Sequence, residues 1–378
     1  MELIYINSGV SSVFPSQVID LLNHFYDNNW FDKITLICGI RDDIEKQKAE
    51  AYLRSSSFDV IFYKTFPNYP FYNPLAKAHL TKAFKNIKIN EHTLFHARGW
   101  SSANLVYKSL LKIGLSSPRT LLDIRGAIRE EVLDFQKNNY LKKFLKSINI
   151  SKVISAVKNY SFISVVSSKL KNYVLSNVEN IEGQIFVNPC LAGKSFIYSV
   201  ETRDHLRIAL GIKKNEKLLI FSSGGESLWQ NNLELIKIAN KGFKVLNLSK
   251  VYVDHPNVIT KYVNYKEVPG YLSAADVALI FRDKSPVNEV ASPVKFSEYL
   301  CAGLPVIANK NVQMINNFIE RTGYRLLIDS IDEISLEKID KLSLLSRIDI
   351  SEYGRKHLGI ESVAYQYLNI YKKMNQEE

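Results

Sequence analysis

No apolar run in this sequence reaches the roughly 18 residues that a membrane span needs, so a spanning helix is not expected. Only three cysteines occur, Cys38, Cys190 and Cys301, far apart and with no C-x-x-C pair. A disulfide framework and a zinc site are therefore not expected, and a reducing cytoplasm fits. The opening MELIYINSG has no basic region ahead of a long apolar stretch, so it reads as a first core strand and not as a signal peptide. There is no repeat and no low-complexity stretch. No D-x-D motif ends a strand: Asp42-Asp43 sits in a helical stretch and reads as solvated, so neither a metal site nor metal dependence is expected. Acidic residues are missing altogether from 136–178, where eight lysines fall at 137, 142, 143, 146, 152, 158, 169 and 171.

What is present suits a soluble globular protein of about two domains: 378 residues, 46% hydrophobic and 23% charged. The net charge of +11 is unevenly spread: eight of the positive charges lie in the acid-free segment, where Leu141, Phe144, Leu145, Ile148, Ile150, Val153 and Ile154 interleave with the lysines. A basic face beside an apolar one suits an anionic membrane surface, and equally a solvated lysine face. Nucleic acid is not the expected partner, because no helix-turn-helix, RRM or zinc-finger pattern accompanies the charge.

Strand-like runs at 3–9, 34–40, 59–65, 93–99, 120–126, 162–168 and 184–190 alternate with helical ones, among them 15–28, 43–54, 74–86 and 101–113. After a turn-rich connector, 191–196, a second alternation begins: helical 203–211, strand 217–225, helix 232–242 with a glycine stop, strand 276–282 and a last helix near 361–376. Two βαβα series predict two parallel α/β sheets. The expected division is an N-terminal domain 1–190, a linker 191–200, a C-terminal domain 201–358 and a terminal helix 359–378. A cleft between the domains is expected, with ligands at the carboxyl ends of the strands.

The most informative stretch is 291–308, ASPVKFSEYLCAGLPVIA. Ser292-Pro293 turns into a short amphipathic helix that stops at Gly303 before a buried strand. A helix start aims free N–H groups and partial positive charge forward, a ready anion site. One turn in, Glu298 can accept hydrogen bonds from sugar hydroxyls. Diphosphate at the helix start and ribose at the glutamate is the arrangement a nucleotide needs. Alone, the stretch equally describes an ordinary helix–strand unit with a solvated glutamate; its neighbours tip the reading.

SPVKFSEYLCAGLPVIAN (292–309), YVNYKEVPGYLSAADVALIFR (262–282), SSGGESLWQNN (222–232) and LLDIRG (121–126) followed by Glu130-Glu131 together resemble the GT-B glycosyltransferases. They are similar in particular to the large retaining family 4, in its bacterial polysaccharide-assembly variant. The resemblance implies an α/β fold of two Rossmann-like parallel-sheet domains facing a cleft, with the C-terminal helix packing back on the N-terminal domain. It implies a hexosyltransferase-type enzyme acting from a nucleotide-diphospho-sugar, a co-substrate and not a cofactor, onto a glycan or lipid-linked acceptor in surface polysaccharide synthesis. It implies a cytoplasmic location, with a peripheral place on the inner face of the plasma membrane if the lysine segment docks there. Glu298 would bind ribose. Ser292 and the backbone of Pro293, Val294 and Lys295 would hold diphosphate. The backbone near Tyr262 and Val263 would meet the base. Gly224-Gly225 would let donor phosphate approach, glycine having no side chain in the way, and Ser8-Gly9 would face the cleft.

The chain departs from the family's pattern in three places. A second glutamate expected eight residues before Glu298 is Val290, with Glu289 one residue off. The Arg and Lys that follow the glycine turn are absent, leaving Lys295 and Arg282 as the nearest cations for a leaving diphosphate; Lys295 reads equally as a surface lysine. A cleft histidine after the strand of TLLDIRG is replaced in that neighbourhood by Arg125, whose planar fork suits phosphate or carboxylate. Arg125 reads as a charge stabiliser or acceptor binder positioned by Asp123, or as half of a structural Asp–Arg pair. His96 is the best histidine candidate near the cleft, or a hydrogen-bonded structural one. A GT-B epimerase and a catalytically weak binding subunit remain the rival readings.

Overall fold

In the computed structural model, which describes residues 1–67, 69–134, 140–223, 234–319 and 323–376, the chain forms two compact units. Unit 1 comprises Met1–Phe14, Val18–Pro189 and Ala364–Glu378; unit 2 comprises Pro15–Gln17 and Cys190–Val363.

The strands of unit 1 are β1 (Glu2–Asn7), β2 (Lys33–Ile40), β3 (Asp59–Lys64), β4 (Thr93–Arg98), β5 (Thr120–Ile124), β6 (Phe162–Val165) and β7 (Gln184–Val187). They form one parallel sheet in the order β3-β2-β1-β4-β5-β6-β7. The central strands read as near-continuous apolar runs because helices cover both faces; Leu3, Ile4, Tyr5 and Ile6 are all buried. Unit 2 repeats the plan with β8 (Leu218–Ser222), β9 (Lys244–Leu248), β10 (Val258–Lys261), β11 (Val277–Ile280), β12 (Val306–Asn309) and β13 (Arg325–Ile328), parallel in the order β10-β9-β8-β11-β12-β13. Each order reverses once, between β1 and β4 and between β8 and β11. At such a switch point the connections leave in opposite directions and open a crevice at the carboxyl ends of the strands.

The two parallel α/β series are thus as the alternation predicts. The expected linker 191–200 is different: it is folded into unit 2. Ala192 and Phe196 are buried in that unit's core, and Ala192 bridges Gly359. With a methyl and a phenyl group four residues apart both packed into that core, this stretch does not behave as a linker. The last helix, Ile360–Gln376, passes from unit 2 into unit 1 at residue 364. Its Tyr367 and Tyr371 are buried in unit 1, where the Tyr371 ring lies 5.4 Å from Phe31 and 5.9 Å from Phe25. Asp42, expected to be merely solvated, caps the helix Asp43–Leu53 by accepting from the Glu45 amide at 2.8 Å.

Candidate functional site

In unit 2 the switch point is built from the ends of β8 and β11 and the helix Val294–Cys301. Its N-cap is Pro293, which offers no side-chain acceptor; the Phe296 amide bonds to the Pro293 carbonyl at 3.0 Å, and the amides before it have no partner among the described residues. The amides of Val294 and Lys295 have no carbonyl to meet within the helix, and they sit at the positive end of its dipole. Three residues after Lys295 on the same face comes Glu298, 1% exposed, which accepts from Lys295 Nζ at 2.6 Å. Burial raises the pKa of Glu298, and the Lys295 ammonium offsets part of that rise. Tyr299 anchors the helix to the sheet: its hydroxyl accepts from the Ser222 amide at 2.8 Å, at the last residue of β8.

A small recess at this point is lined by Phe221, Ser222, Phe281, Arg282, Lys295 and Tyr299. Arg282 and Lys295, paired in the sequence reading only as the nearest cations, therefore share one surface. The backbone of Arg282 is held in place, its carbonyl accepting from Asn309 Nδ2 at 2.8 Å and Asn311 Nδ2 at 2.7 Å. Its guanidinium has no ion-pair partner among the described residues. Burial brings its pKa down to about 10, which leaves it cationic at neutral pH.

Other expected donor residues lie elsewhere or have other duties. The Ser292 hydroxyl accepts from the Cys190 amide at 2.9 Å, and Ser297 Oγ donates to the Cys190 carbonyl at 2.6 Å. Ser292 thus helps to clamp the segment entering unit 2. Glu289 is exposed on the short helix Pro286–Glu289, while Val290 beside it is buried. Tyr262 and Val263 follow β10, two strands away from β8, and do not line the recess. Tyr262 is exposed under Lys250 Nζ at 5.1 Å, and Val263 packs against the core. Gly224 and Gly225 lie outside the described residues.

In unit 1 the expected catalytic pair sits in a buried ion cluster. Strand alternation brings His96 and Arg98 of β4, Asp123 of β5 and, by register, Tyr5 of β1 onto one face. Asp123, 0% exposed, accepts from Arg98 Nη1 at 3.2 Å, Arg125 Nη1 at 3.3 Å and the Tyr367 hydroxyl at 3.3 Å, with His96 Nε2 3.5 Å away. Burial alone would raise the Asp123 pKa; Arg125, His96 and Arg98 together outweigh it and hold the carboxylate well below its usual range. Arg125 also donates to the Tyr367 hydroxyl at 3.1 Å.

Of the two readings of His96, the structure has the hydrogen-bonded structural one: the ring lies inside β4, fully buried, stacked on Tyr5 with ring centroids 4.2 Å apart and with Nδ1 against the Tyr371 hydroxyl. Burial lowers its pKa, so it stays neutral. The residue that does end β4 is Arg98, which the sequence reading missed although it stands two residues beyond His96 on the same face. Ser8 and Gly9 follow β1, where Asn7 Nδ2 donates to the Gly9 carbonyl at 2.6 Å.

No family model matches this chain, and no curated protein does. Among solved structures it is similar to Anabaena HepE in complex with UDP-glucose, with 13% identity, 100% of each chain covered and a TM-score of 0.69. It is similar to the catalytic domain of starch synthase IV from Arabidopsis thaliana bound to ADP and acarbose, with 13% identity, 100% of each covered and a TM-score of 0.64. It is also similar to WaaG, a glycosyltransferase involved in lipopolysaccharide biosynthesis, with 12% identity, 98% of this chain and 99% of that one covered and a TM-score of 0.59. With two all-parallel α/β units and these likenesses along nearly its whole length, the chain has the GT-B fold.

Proposed function

We propose that this chain is a glycosyltransferase that takes a sugar from a nucleotide-diphospho-sugar, with the donor held by unit 2. The observation that carries the reading is the recess at the switch point of β8 and β11. There an uncapped helix start, Lys295 and Arg282 present positive charge, and a buried Glu298 receives a single ammonium. A diphosphate takes amides and cations; ribose hydroxyls donate to the carboxylate. As the bond from sugar to diphosphate breaks, negative charge grows on the leaving oxygens, and preorganised donors aimed there lower the barrier. This positive charge comes from the chain itself, so donor binding is expected without added metal. The similar structures, HepE in complex with UDP-glucose and starch synthase IV bound to ADP and acarbose, support a nucleotide-sugar as the donor class.

The finer parts of the reading rest on the motif resemblance: family 4 membership, retention of configuration, a glycan or lipid-linked acceptor and a role in bacterial surface polysaccharide assembly. Among the described residues no helix is long and apolar enough to cross a membrane. Contact with a membrane surface is supported by the start of the helix Tyr140–Ala156, where Tyr140, Leu141 and Phe144 are exposed beside Lys142 and Lys143. Reversing both charges, Lys142→Glu with Lys143→Glu, should reduce cosedimentation with phosphatidylglycerol vesicles at low salt, by about 1 kcal/mol per lysine removed. Equal cosedimentation would remove the membrane from the proposal.

The donor site is tested by calorimetric titration with UDP, GDP, ADP, CMP and dTDP, no metal added. One nucleotide, UDP first, should bind saturably, and Glu298→Gln should weaken it about tenfold, the loss of one charge-assisted contact. Binding of none by folded protein would turn the reading to a non-catalytic subunit. The exposed Glu289 and buried Val290, where a second signature glutamate is expected, are the observations that favour that alternative.

A further inference from the structure

In unit 2, β8 and β11 do not stay paired to their carboxyl ends. β8 pairs with β9 through its last residue, Ser222, but with β11 only over Leu219 and Ile220. β11 instead pairs with β12 as far as its own last residue, Ile280. The two strand ends therefore part. The residues beyond the last shared pair, Phe221 and Ser222 on one side and Leu279, Ile280, Phe281 and Arg282 on the other, are the walls of the recess at the donor helix.

Parting deprives one strand amide of its partner. Successive amides of a strand point to opposite neighbours. The Ser223 amide reaches the Leu248 carbonyl of β9 at 2.9 Å, so the Ser222 amide points to the β11 side, where the pairing has already ended. The Tyr299 hydroxyl accepts it there at 2.8 Å. A buried amide without an acceptor is costly, so this one bond fixes the phenol against the end of β8. Burial raises the Tyr299 pKa, and at neutral pH the group is an uncharged phenol. The side chain has no exposed surface, so it cannot touch a ligand in the recess. Anything it does for a ligand passes through its neighbours.

Arg282 is the neighbour that needs it. Its backbone is held by Asn309 and Asn311, but its guanidinium makes no hydrogen bond or ion pair among the described residues. A long side chain with several free torsions loses much entropy on being ordered, and something must orient it. Arg282 and Tyr299 belong to the same wall, and each acts electrostatically on the other. Among the described residues, Tyr299 is the ionisable group that bears on the guanidinium.

We infer that Tyr299 is a positioning residue of the donor site: by holding the end of β8 and bearing on Arg282, it sets the guanidinium where the outer phosphate of the donor's diphosphate lies. The inference rests on the glycosyltransferase reading, which supplies the diphosphate.

The test is a double-mutant cycle on the full chain, read by calorimetry. The probes are UDP and UMP, or the diphosphate and monophosphate of whichever base wild type binds, because the monophosphate lacks the outer phosphate. Tyr299→Phe should weaken UDP about tenfold, as one charge-assisted contact is loosened, and change UMP less than about twofold. Added to Arg282→Gln, the same substitution should change UDP less than about twofold, since a residue that acts through another has nothing left to act on. Equal losses for UDP and UMP, an undiminished loss in the Arg282→Gln background, or no loss in folded Tyr299→Phe would each overturn the inference. If Tyr299→Phe does not fold, 3,5-difluorotyrosine at position 299 keeps the ring and the hydroxyl while weakening the oxygen as an acceptor, and the same cycle is read on it. Wild type that binds no nucleoside diphosphate overturns the donor reading and this assignment together; wild type that binds UDP, with a UDP-to-UMP ratio that Tyr299→Phe does not move, overturns the assignment alone.

Discussion

Asp123 in unit 1 and Glu298 in unit 2 are both carboxylates removed from water near the working ends of their sheets, yet their acidities move in opposite directions. Both suffer the same penalty of burial. Asp123 has two guanidiniums, a tyrosine hydroxyl and an imidazole around it; Glu298 has one ammonium. Several charge-assisted donors more than offset desolvation, whereas one does not. Asp123 is therefore a completed ion centre that holds β4, β5 and the last helix together. Glu298 is a carboxylate with fewer donors than it can use, which is the condition for recognising the hydroxyls of a ligand.

Removing the charge from each should break this comparison most sharply at Asp123. Asp123→Asn leaves Arg98 and Arg125 half-enclosed without their counter-charge, and denaturant unfolding should show a loss of about 3–5 kcal/mol. The pH dependence has a definite sign. The folded pKa of Asp123 is depressed, so its contribution is complete above about pH 4, where the unfolded chain is ionised, and is lost as pH falls through the folded value. The variant should lack that limb of acid unfolding. A variant as stable as wild type would mean that the two arginines hold their places without the carboxylate.

Glu131 sharpens the comparison, being a carboxyl with no cation among the described residues to offset its burial. Its carboxyl sits against Gly126, and burial, with the charge of Glu130 second, pushes its pKa up to about 7. Here the sign reverses. A raised folded pKa contributes stability that is full below about pH 4.3 and is lost as pH rises through about 7. Glu131→Gln should therefore melt with wild type at pH 4 and above it at pH 8, by about 1 kcal/mol. Melting curves that coincide at pH 8 would show the carboxyl to be solvated.

The smallest effect on stability is expected at the donor site. Glu298→Gln keeps the shape and removes a charge that burial already disfavours, so unfolding at pH 7 should change by less than about 1 kcal/mol while nucleotide affinity falls. A loss as large as that of Asp123→Asn would make the Lys295–Glu298 pair a structural one and remove its claim on a ligand.

Much of this molecule can be read in its sequence. Period-two and near-continuous apolar runs announce the strands, and the S-P-x-K-x-x-E spacing alone puts Lys295 and Glu298 on one helical face, because both are consequences of short-range geometry. The same local rules place Arg125 beside Asp123. They could not show that Tyr371, 275 residues beyond His96, and Tyr367, 244 beyond Asp123, would close over these two, which made the best histidine candidate a core residue. Nor could they tell that the hydroxyl of Ser292 would be engaged by Cys190, or that 191–200 would fold into unit 2. The Tyr299 hydroxyl is the clearest case: in the sequence Tyr299 is one more apolar residue of a short helix, and only the parting of β8 from β11 gives it an amide to hold. Sequence by itself determined which segments become strands or helices and which of their faces are apolar, since these depend on neighbours within a few residues. Which charges become neighbours, which are neutralised and which stay open for a ligand was decided only by the tertiary structure, because burial and long-range contact set the electrostatic environment.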